Sequence, residues 1–228
     1  MRKLARKGYR KGKKEVVKPL KVIAERIRQN FGDEDAAREE VLRLCRDMIR
    51  YSSNAIRAVH RQEKTEAKKM LVSAHIVSQK LRLILDEHKN FLHSGFVHDA
   101  QKELVEASVT LALVKGEPLP EPEKLKVSYP AYLNGLGEAI GELRRYLLDS
   151  LRRDDLSRCE ELLAMMDEIY GVLVTMDFPE AITYGLRRTT DAARGILEKT
   201  RADLTLILRE RQLEQKLKVF EEKRGKKS

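Results

Sequence analysis

Two glutamates stand three residues apart in an otherwise apolar stretch, and they are the first candidates for chemistry. Nearly every other side chain in residues 98–115 is apolar or small, which is typical of a helix buried on all sides. Glu103 and Glu106 project from one side of such a helix, where an unpaired carboxylate is costly. They need protons or a cation, and Mg²⁺ held by carboxylates, waters and a substrate phosphate meets that need. Two alternatives stay open: oligomer packing leaves this side wet, or Arg or Lys from another helix pairs with both glutamates.

A second acidic group follows about thirty residues later. Glu138, Glu142 and Arg145 share one face of a helix, a pattern that is most often a solvated surface. Glycine inside a helix costs roughly 0.5–1 kcal/mol relative to alanine, and this helix contains three: Gly135, Gly137 and Gly141. The glycines therefore indicate a close approach, either by a neighbouring helix or by a phosphate backbone.

Other templates for chemistry are missing from the sequence. It contains no Walker loop, no G-x-S-x-G and no H-E-x-x-H. The histidines lie at the ends of predicted elements or on helix surfaces, so each is expected at the surface: His60, His75, His88, His93 and His98. His93 and His98 bracket the start of the carboxylate helix, where they are candidates for phosphate contact.

Helical periodicity along the chain predicts an all-α fold without a strand. The expected architecture is a single-domain bundle of about six or seven antiparallel helices. Gly32 is expected to end the first helix, and Asp33 to cap the second. Predicted helices cover 18–30, 34–62, 64–90, 98–115, 132–153 and 156–175, and a final periodic stretch runs from Phe178-Pro179 to about 223. An unbroken final helix would reach ~60 Å, so it either breaks or packs in an oligomer.

Composition sets the broad class of the protein. The chain has 228 residues, of which 42% are apolar and 36% charged, enough to bury a sizeable core in one large domain. No apolar run approaches the ~18 residues that a membrane span needs, and no apolar signal sequence opens the chain, so we expect a cytoplasmic protein without membrane contact. Cys45 and Cys159 lie far apart in charged helical patterns, which predicts small core residues rather than a disulfide or zinc site.

Most of the net charge of +10 lies at one end. Residues 1–14 contain eight basic side chains and no acidic one, which predicts a basic N-terminal tail before a domain spanning 15–228. A polycationic tail attracts phosphate backbones without reading sequence; the alternative is a solvated or targeting tail. Within the domain, the prolines at 118, 120 and 122 predict a linker over residues 117–127.

Three segments together resemble the translin and translin-associated factor X family, and factor X more than translin. The first runs from Arg38-Glu39-Glu40 through Cys45-Arg46-Asp47 to a His60-Arg61 ending. The second is QKELVEA at 101–107, which resembles the Glu-Tyr-Val-Glu-Ala of factor X. The third combines YLNG at 132–135 with GELRR at 141–145. The resemblance covers roughly residues 34–217.

The resemblance implies an all-α fold, a hollow octamer-like homo-oligomer, and RNA or single-stranded DNA bound inside it. For factor X subunits it implies a Mg²⁺-dependent endoribonuclease, with Mn²⁺ as an alternative ion, whose acidic residues match Glu103, Glu106, Glu138 and Glu142. The first three would hold the metal ion, Arg145 would orient the phosphate, and His93 would contact nucleic acid. Translin itself has apolar residues where this chain has Glu103 and Glu106. The resemblance therefore implies a catalytic subunit of the factor X type.

Two departures from the family pattern bear on this expectation. The position of Glu138 is usually aspartate in the family, so a ligand there is one methylene longer in this chain. Ser53-Asn54 occupies a place that is basic in the family. The competing functions are a non-catalytic shell that binds RNA or single-stranded DNA, and a helical scaffold without nucleic acid, which would leave the basic tail and the two glutamates unexplained.

Deleting residues 1–14 should weaken RNA binding across sequences and flatten its salt dependence, because each lost phosphate contact removes about 0.7–0.9 from the slope of log affinity against log salt. Filter binding from 50 to 300 mM KCl measures that slope. A chain with glutamine at the eight basic positions should behave like the deletion. An unchanged slope would mean that the tail does not lie on the phosphates.

Overall fold

Helices account for nearly all of the structure, and the predicted all-α fold class is confirmed. The structure, a computed structural model, describes residues 9–225, with side chains from residue 19 onward apart from 222 and 224. This part of the chain contains no strand. Its helices are α1 Tyr9–His60, α2 Lys64–Glu87, α3 Gly95–Lys115, α4 Pro122–Leu125, α5 Tyr129–Arg152, α6 Cys159–Val174, α7 Glu180–Thr183 and α8 Leu186–Gly225, with a 3-10 turn at Lys89–Phe91.

Helix α1 is continuous where the sequence predicts two helices. The expected break at Gly32 and the expected cap at Asp33 are both wrong. Gly32 does not adopt a positive φ, and a glycine inside a helix costs only ~0.5–1 kcal/mol, too little to interrupt a long periodic segment. Residues 1–8 of the predicted basic tail lie outside the described residues, while residues 9–14 belong to α1.

Helix α3 is the buried centre of the bundle, as its composition predicts. It packs against α1, α2 and α5, and its buried residues follow one another almost without interruption from Val97 to Val114. Gly116 ends the helix in the left-handed conformation with a φ of 70°. The guanidinium group of Arg158 donates to the last carbonyl groups, at 2.6 Å from Val114 O and 3.0 Å from Leu113 O. Both contacts fix the register of α3 against its neighbours.

Helix α5 begins three residues before its predicted start because Ser128 caps it. The Ser128 hydroxyl accepts from the backbone N–H of Ala131, and Pro130 lies in the first turn. The backbone N–H of Ser128 donates to Oε1 of Gln101 on α3 at 3.0 Å. One turn later, the Asn134 amide donates to the Thr183 carbonyl at 2.9 Å. These bonds tie the start of α5 to α3 and to α7.

Two glycines bring α5 into close contact with its neighbours. A Cβ atom at Gly135 would lie 2.6 Å from Cβ of Val105 and 2.8 Å from the carbonyl oxygen of Lys102, both on α3. A Cβ atom at Gly137 would lie 2.4 Å from Cγ2 of Thr189 on α8. Of the two explanations open from the sequence, a neighbouring helix is therefore the correct one at both positions.

In the second half of the chain, the observed helix boundaries differ from the predicted ones. Helix α6 begins at Cys159 rather than 156, and the proline-spaced segment 117–127 contains the one-turn helix α4. Leu125 in that segment is buried, and its carbonyl group accepts from the Ser78 hydroxyl. The predicted final stretch from Phe178-Pro179 breaks at Tyr184 and Gly185, both with a positive φ, which separate α7 from the long helix α8 at Leu186–Gly225.

Two further expectations concern membranes and cysteines. Among the described residues, no helix has the length and apolar character needed to cross a bilayer. Cys45 and Cys159 are both free and buried, as predicted for small core residues.

Replacing Gly135 by alanine should destabilise the fold by about 1–3 kcal/mol, because the added methyl group would overlap Val105 and a backbone carbonyl group. Gly171 on α6 is the matched control, since a Cβ atom there meets nothing within 4 Å. Gly171→Ala should be neutral or stabilising by up to about 1 kcal/mol. Urea unfolding compares the two variants, and equal stabilities would contradict the close packing of α5 on α3.

Candidate functional site

Four glutamates from α3 and α5 form one acidic cluster. Helix α3 contributes Glu103 and Glu106, one turn apart, and α5 contributes Glu138 and Glu142, also one turn apart. Because Gly135 allows α5 to lie directly on α3, each pair faces the other across the helix contact. Glu138 is the most exposed, with 46% of its side chain accessible, while the other three are partly buried. The structure therefore brings together all four acidic residues that the sequence singles out.

Burial and mutual repulsion favour protons on the two glutamates of α3. Burial, as the largest cause, and then the charges of Glu103, Glu142 and Glu138 together raise the pKa of Glu106 to about 8. The pKa of Glu103 is also raised by burial, although Lys102 and Ser53 oppose the shift. At neutral pH the carboxyl group of Glu106 is thus mainly protonated and can donate a proton.

Glu142 has the opposite character because His60 contacts it. Nε2 of His60, at the end of α1, forms a short hydrogen bond with Oε2 of Glu142. This hydrogen bond lowers the pKa of Glu142, and the positive charge of Arg145 lowers it further. The His60 side chain is only 5% exposed, and its Nδ1 atom has no hydrogen-bond partner among the described residues. The cluster therefore combines a protonated carboxyl group with an ionised one.

Lys102 is the cation that contacts the cluster on the α3 side. Its ammonium group lies 3.4 Å from Oε1 of Glu138, and its charge lowers the pKa of Glu103 and Glu106. Within the described residues, neither Glu103 nor Glu106 has a basic group within 4.0 Å. The alternative in which Arg or Lys from another helix pairs with both glutamates is therefore wrong for this part of the chain.

The two predicted nucleic-acid contacts lie in different places. Arg145 is exposed on α5, one turn beyond Glu142, and acts on that carboxylate electrostatically. His93 is exposed in the turn before α3, about 12 Å or more along the helix axis from Glu103. Its carbonyl group accepts from the Tyr184 hydroxyl at 3.3 Å. Arg145 belongs to the cluster, whereas His93 does not.

Sequence reasoning missed His60, which it expected at the surface. His98 is likewise buried, where it stacks on Tyr184 with ring centroids 4.7 Å apart. His60 lies one residue after the buried Val59 and one turn after the buried Ile56. From this position on the core-facing side of α1, the burial of His60 could have been predicted.

The donor chemistry of the cluster suits a hard cation, but its geometry is not that of a formed metal site. Carboxylate oxygens are the ligands that Mg²⁺ prefers, and a cation would relieve the repulsion that raises the pKa of Glu106. Among residues 9–225, however, no three acidic, histidine or cysteine side chains converge closely enough to hold a metal ion. Metal binding by Glu103, Glu106 and Glu138 therefore stays a prediction.

Comparison with solved structures identifies similar chains. The structure of AfC3PO in complex with duplex RNA is 33% identical, with a TM-score of 0.74, and the match covers 83% of this chain and 98% of that one. A crystal structure of AfC3PO is 31% identical with a TM-score of 0.76 and the same coverages. Apo-NeC3PO shares the fold, with 18% identity, a TM-score of 0.73, and coverage of 81% of this chain and 96% of that one.

Sequence comparison agrees with the structural one. An uncharacterised protein of Methanocaldococcus jannaschii is 32% identical over 193 residues, which are 82% of this chain and 84% of the relative. No protein-family profile matches the chain. The fold and the similar structures define a helical protein of the translin type. The chain belongs to the C3PO, or translin, family.

Glu106→Gln should change how stability depends on pH. Because the pKa of Glu106 is raised from 4.5 to about 8, the folded protein keeps a proton that the unfolded chain loses, so stability falls as pH rises through this interval. Glutamine removes that loss. The free energy of unfolding of the variant, relative to that of wild type, should therefore rise by on the order of 1–2 kcal/mol between pH 5 and pH 8. This is less than the full 1.36 kcal/mol per pKa unit because solvent screens the group.

Unfolding in EDTA at fixed protein concentration measures the effect, and Glu142→Gln is the control of opposite sign. Because the pKa of Glu142 is lowered, its stabilisation is present above its unfolded pKa and is lost as pH falls. That variant should therefore be less stable than wild type at pH 8 and approach it in acid. Parallel pH profiles for wild type and Glu106→Gln would contradict the electrostatics of the cluster.

Proposed function

We propose that this protein binds RNA and cleaves it as a Mg²⁺-dependent endoribonuclease of the factor X type, with Mn²⁺ as an alternative ion. The observation that carries the proposal is the cluster of four carboxyl groups, in which one is protonated and another is ionised. Membership of the C3PO family supports an RNA ligand, since AfC3PO has been solved with duplex RNA. Single-stranded DNA is a second candidate ligand.

The residues that would hold the metal ion are Glu103, Glu106 and Glu138. When bound, the ion would supply Lewis-acid stabilisation of charge on the scissile phosphate and a more acidic water. Lys102 now pairs with Glu138, and Glu106 carries a proton, so binding requires Lys102 to turn away and Glu106 to ionise. The first change is a local movement of a side chain at a partly exposed surface, and the second is the loss of one proton.

The other polar groups of the cluster have separate roles in this proposal. Glu142, ionised and held by His60, accepts a proton, because its lowered pKa keeps it charged and its hydrogen bond fixes its direction. Arg145, exposed beside Glu142, contacts a phosphate oxygen and orients the backbone. Lys102 is a second cation that offsets repulsion between the phosphate and the carboxylates.

A non-catalytic shell that binds RNA is the second candidate function. The observation in its favour is the ion pair between Lys102 and Glu138, which occupies one of the three expected ligands. In a purely binding protein, Lys102 would stay on Glu138 and a divalent ion would not change the RNA. Metal-dependent cleavage therefore separates the two functions.

The exposed apolar residues support assembly into a homo-oligomer, which we propose to be octamer-like with RNA inside. They continue along the free parts of the two longest helices, where the bundle offers them no partner. On α1 they are Leu20, Ile23, Ile27 and Phe31, and on α8 they are Leu213, Leu217 and Phe220. Packing between copies would remove this apolar surface from water.

Replacing Glu103 and Glu106 together by glutamine should lower RNA cleavage by at least about 100-fold, because it removes the charge that would hold a hard cation. RNA binding should persist or tighten, since the double variant removes negative charge near the phosphates. Folding should survive, because no basic partner within 4.0 Å in the described residues is left unpaired. Cleavage of labelled RNA and thermal melting are measured on the same samples.

The matched control replaces Glu160 and Glu168, two exposed glutamates of α6, by glutamine. It removes the same charge and should cleave RNA like wild type. If the double variant at 103 and 106 cleaves at the wild-type rate, the catalytic assignment is wrong and the RNA-binding shell is the better account.

A further inference from the structure

Four arginines form an exposed stripe along the second half of α1. Arg46, Arg50, Arg57 and Arg61, here called the α1 arginine stripe, are separated by four, seven and four residues. These spacings place Arg46, Arg50 and Arg57 on one face of α1, and Arg61 follows in the turn after the helix, where its backbone N–H donates to the Arg57 carbonyl. Each is exposed, and the stripe extends for about 22 Å at the helical rise per residue.

The stripe runs beside the acidic cluster. Ser53, between Arg50 and Arg57, lies close enough to Glu103 to lower its pKa, while His60 contacts Glu142. At 100° per residue, Ser53 and His60 lie on the flank of the stripe that faces α3 and α5. The arginines therefore border the cluster on its α1 side over about two helical turns, from Ser53 to His60.

The positive charge of the stripe is only partly compensated. From Arg46 to Arg61 the only acidic residue is Asp47, which pairs with Arg50 and also with Arg43. Arg61 pairs with Glu63. Among the described residues, Arg46 and Arg57 have no carboxylate within 4.0 Å, and the Arg57 side chain bonds only to the Asn54 amide oxygen, at 3.1 Å.

Like charges four residues apart disfavour a helix, and α1 contains one such pair in the stripe, Arg46 with Arg50. A polyanion lying along the stripe would reverse this effect, since each guanidinium group can bind a phosphate through two hydrogen bonds. The acidic cluster favours such a contact, because its ionised carboxylates repel an approaching phosphate backbone. Lys102 and Arg145 alone offset only a small part of this repulsion.

We infer that the α1 arginine stripe binds the phosphates of the RNA strand and guides it across the acidic cluster. This inference rests on the proposed RNA-binding function. Arg46, Arg50 and Arg57 contact backbone phosphates on one side of the scissile bond, so the contacts are independent of base sequence. The stripe thereby determines where the strand crosses Glu103 and Glu142.

The test replaces Arg46, Arg50 and Arg57 together by glutamine, which keeps much of each side chain and removes three charges. Binding of a fluorescent 20-nucleotide RNA, single-stranded and as a duplex, is measured in EDTA from 50 to 300 mM KCl. We expect the slope of log affinity against log salt to fall by about two to three, roughly 0.7–0.9 for each lost phosphate contact. Arg46→Gln and Arg57→Gln alone should each lower it by about one.

The control replaces Arg82, Arg152 and Arg194 by glutamine, three arginines on α2, α5 and α8 that each pair with one carboxylate. It removes the same net charge away from the stripe, and its slope should stay within about half a unit of wild type. If the stripe variant and this control have equal slopes while the wild type binds RNA, the stripe inference is overturned and the proposed function stands. If the wild-type chain binds no RNA, both are overturned.

Discussion

Helix α5 lies directly against helix α3 at Gly135, where the contact leaves no room for a side chain on α5. A methyl group at that position would overlap Val105 and the carbonyl group of Lys102. The position of each carboxylate follows from this contact, because Glu138 and Glu142 are one and two turns beyond Gly135, and Glu103 and Glu106 are on the facing turns of α3. The hydrogen bond from Ser128 to Gln101 and the Arg158 cap of α3 hold the same register.

The electrostatic consequence of this packing is a group of carboxyls that cannot all be ionised together. Burial and repulsion keep a proton on Glu106, while His60 keeps Glu142 charged. Without a metal ion this pair of carboxyl groups therefore has separated pKa values, and a bound cation would replace the proton on Glu106. The surrounding cations, Lys102 and Arg145 at the cluster and the α1 arginine stripe beside it, offset its repulsion of a phosphate backbone.

The parts of this arrangement that depend on local pattern could be predicted from the sequence. An apolar helix interrupted by Glu103 and Glu106 indicated a buried acidic site, and the glycines of α5 indicated a close contact. The parts that depend on tertiary contacts could not be predicted. His60 meets Glu142 across 82 residues, and Lys102 meets Glu138 across 36. The break expected at Gly32 was wrong because one glycine changes helix stability too little to stop a long helix.

The central claim is that the carboxyl cluster cleaves RNA with the help of a divalent cation, and incubation of the purified wild-type protein with end-labelled RNA tests it most directly. Parallel reactions contain Mg²⁺, Mn²⁺ or EDTA, and gel mobility in EDTA records binding of the same RNA. The account predicts internal cleavage with either metal ion, no cleavage in EDTA, and binding in EDTA. RNA that is bound but stays intact with both metal ions would contradict the catalytic account.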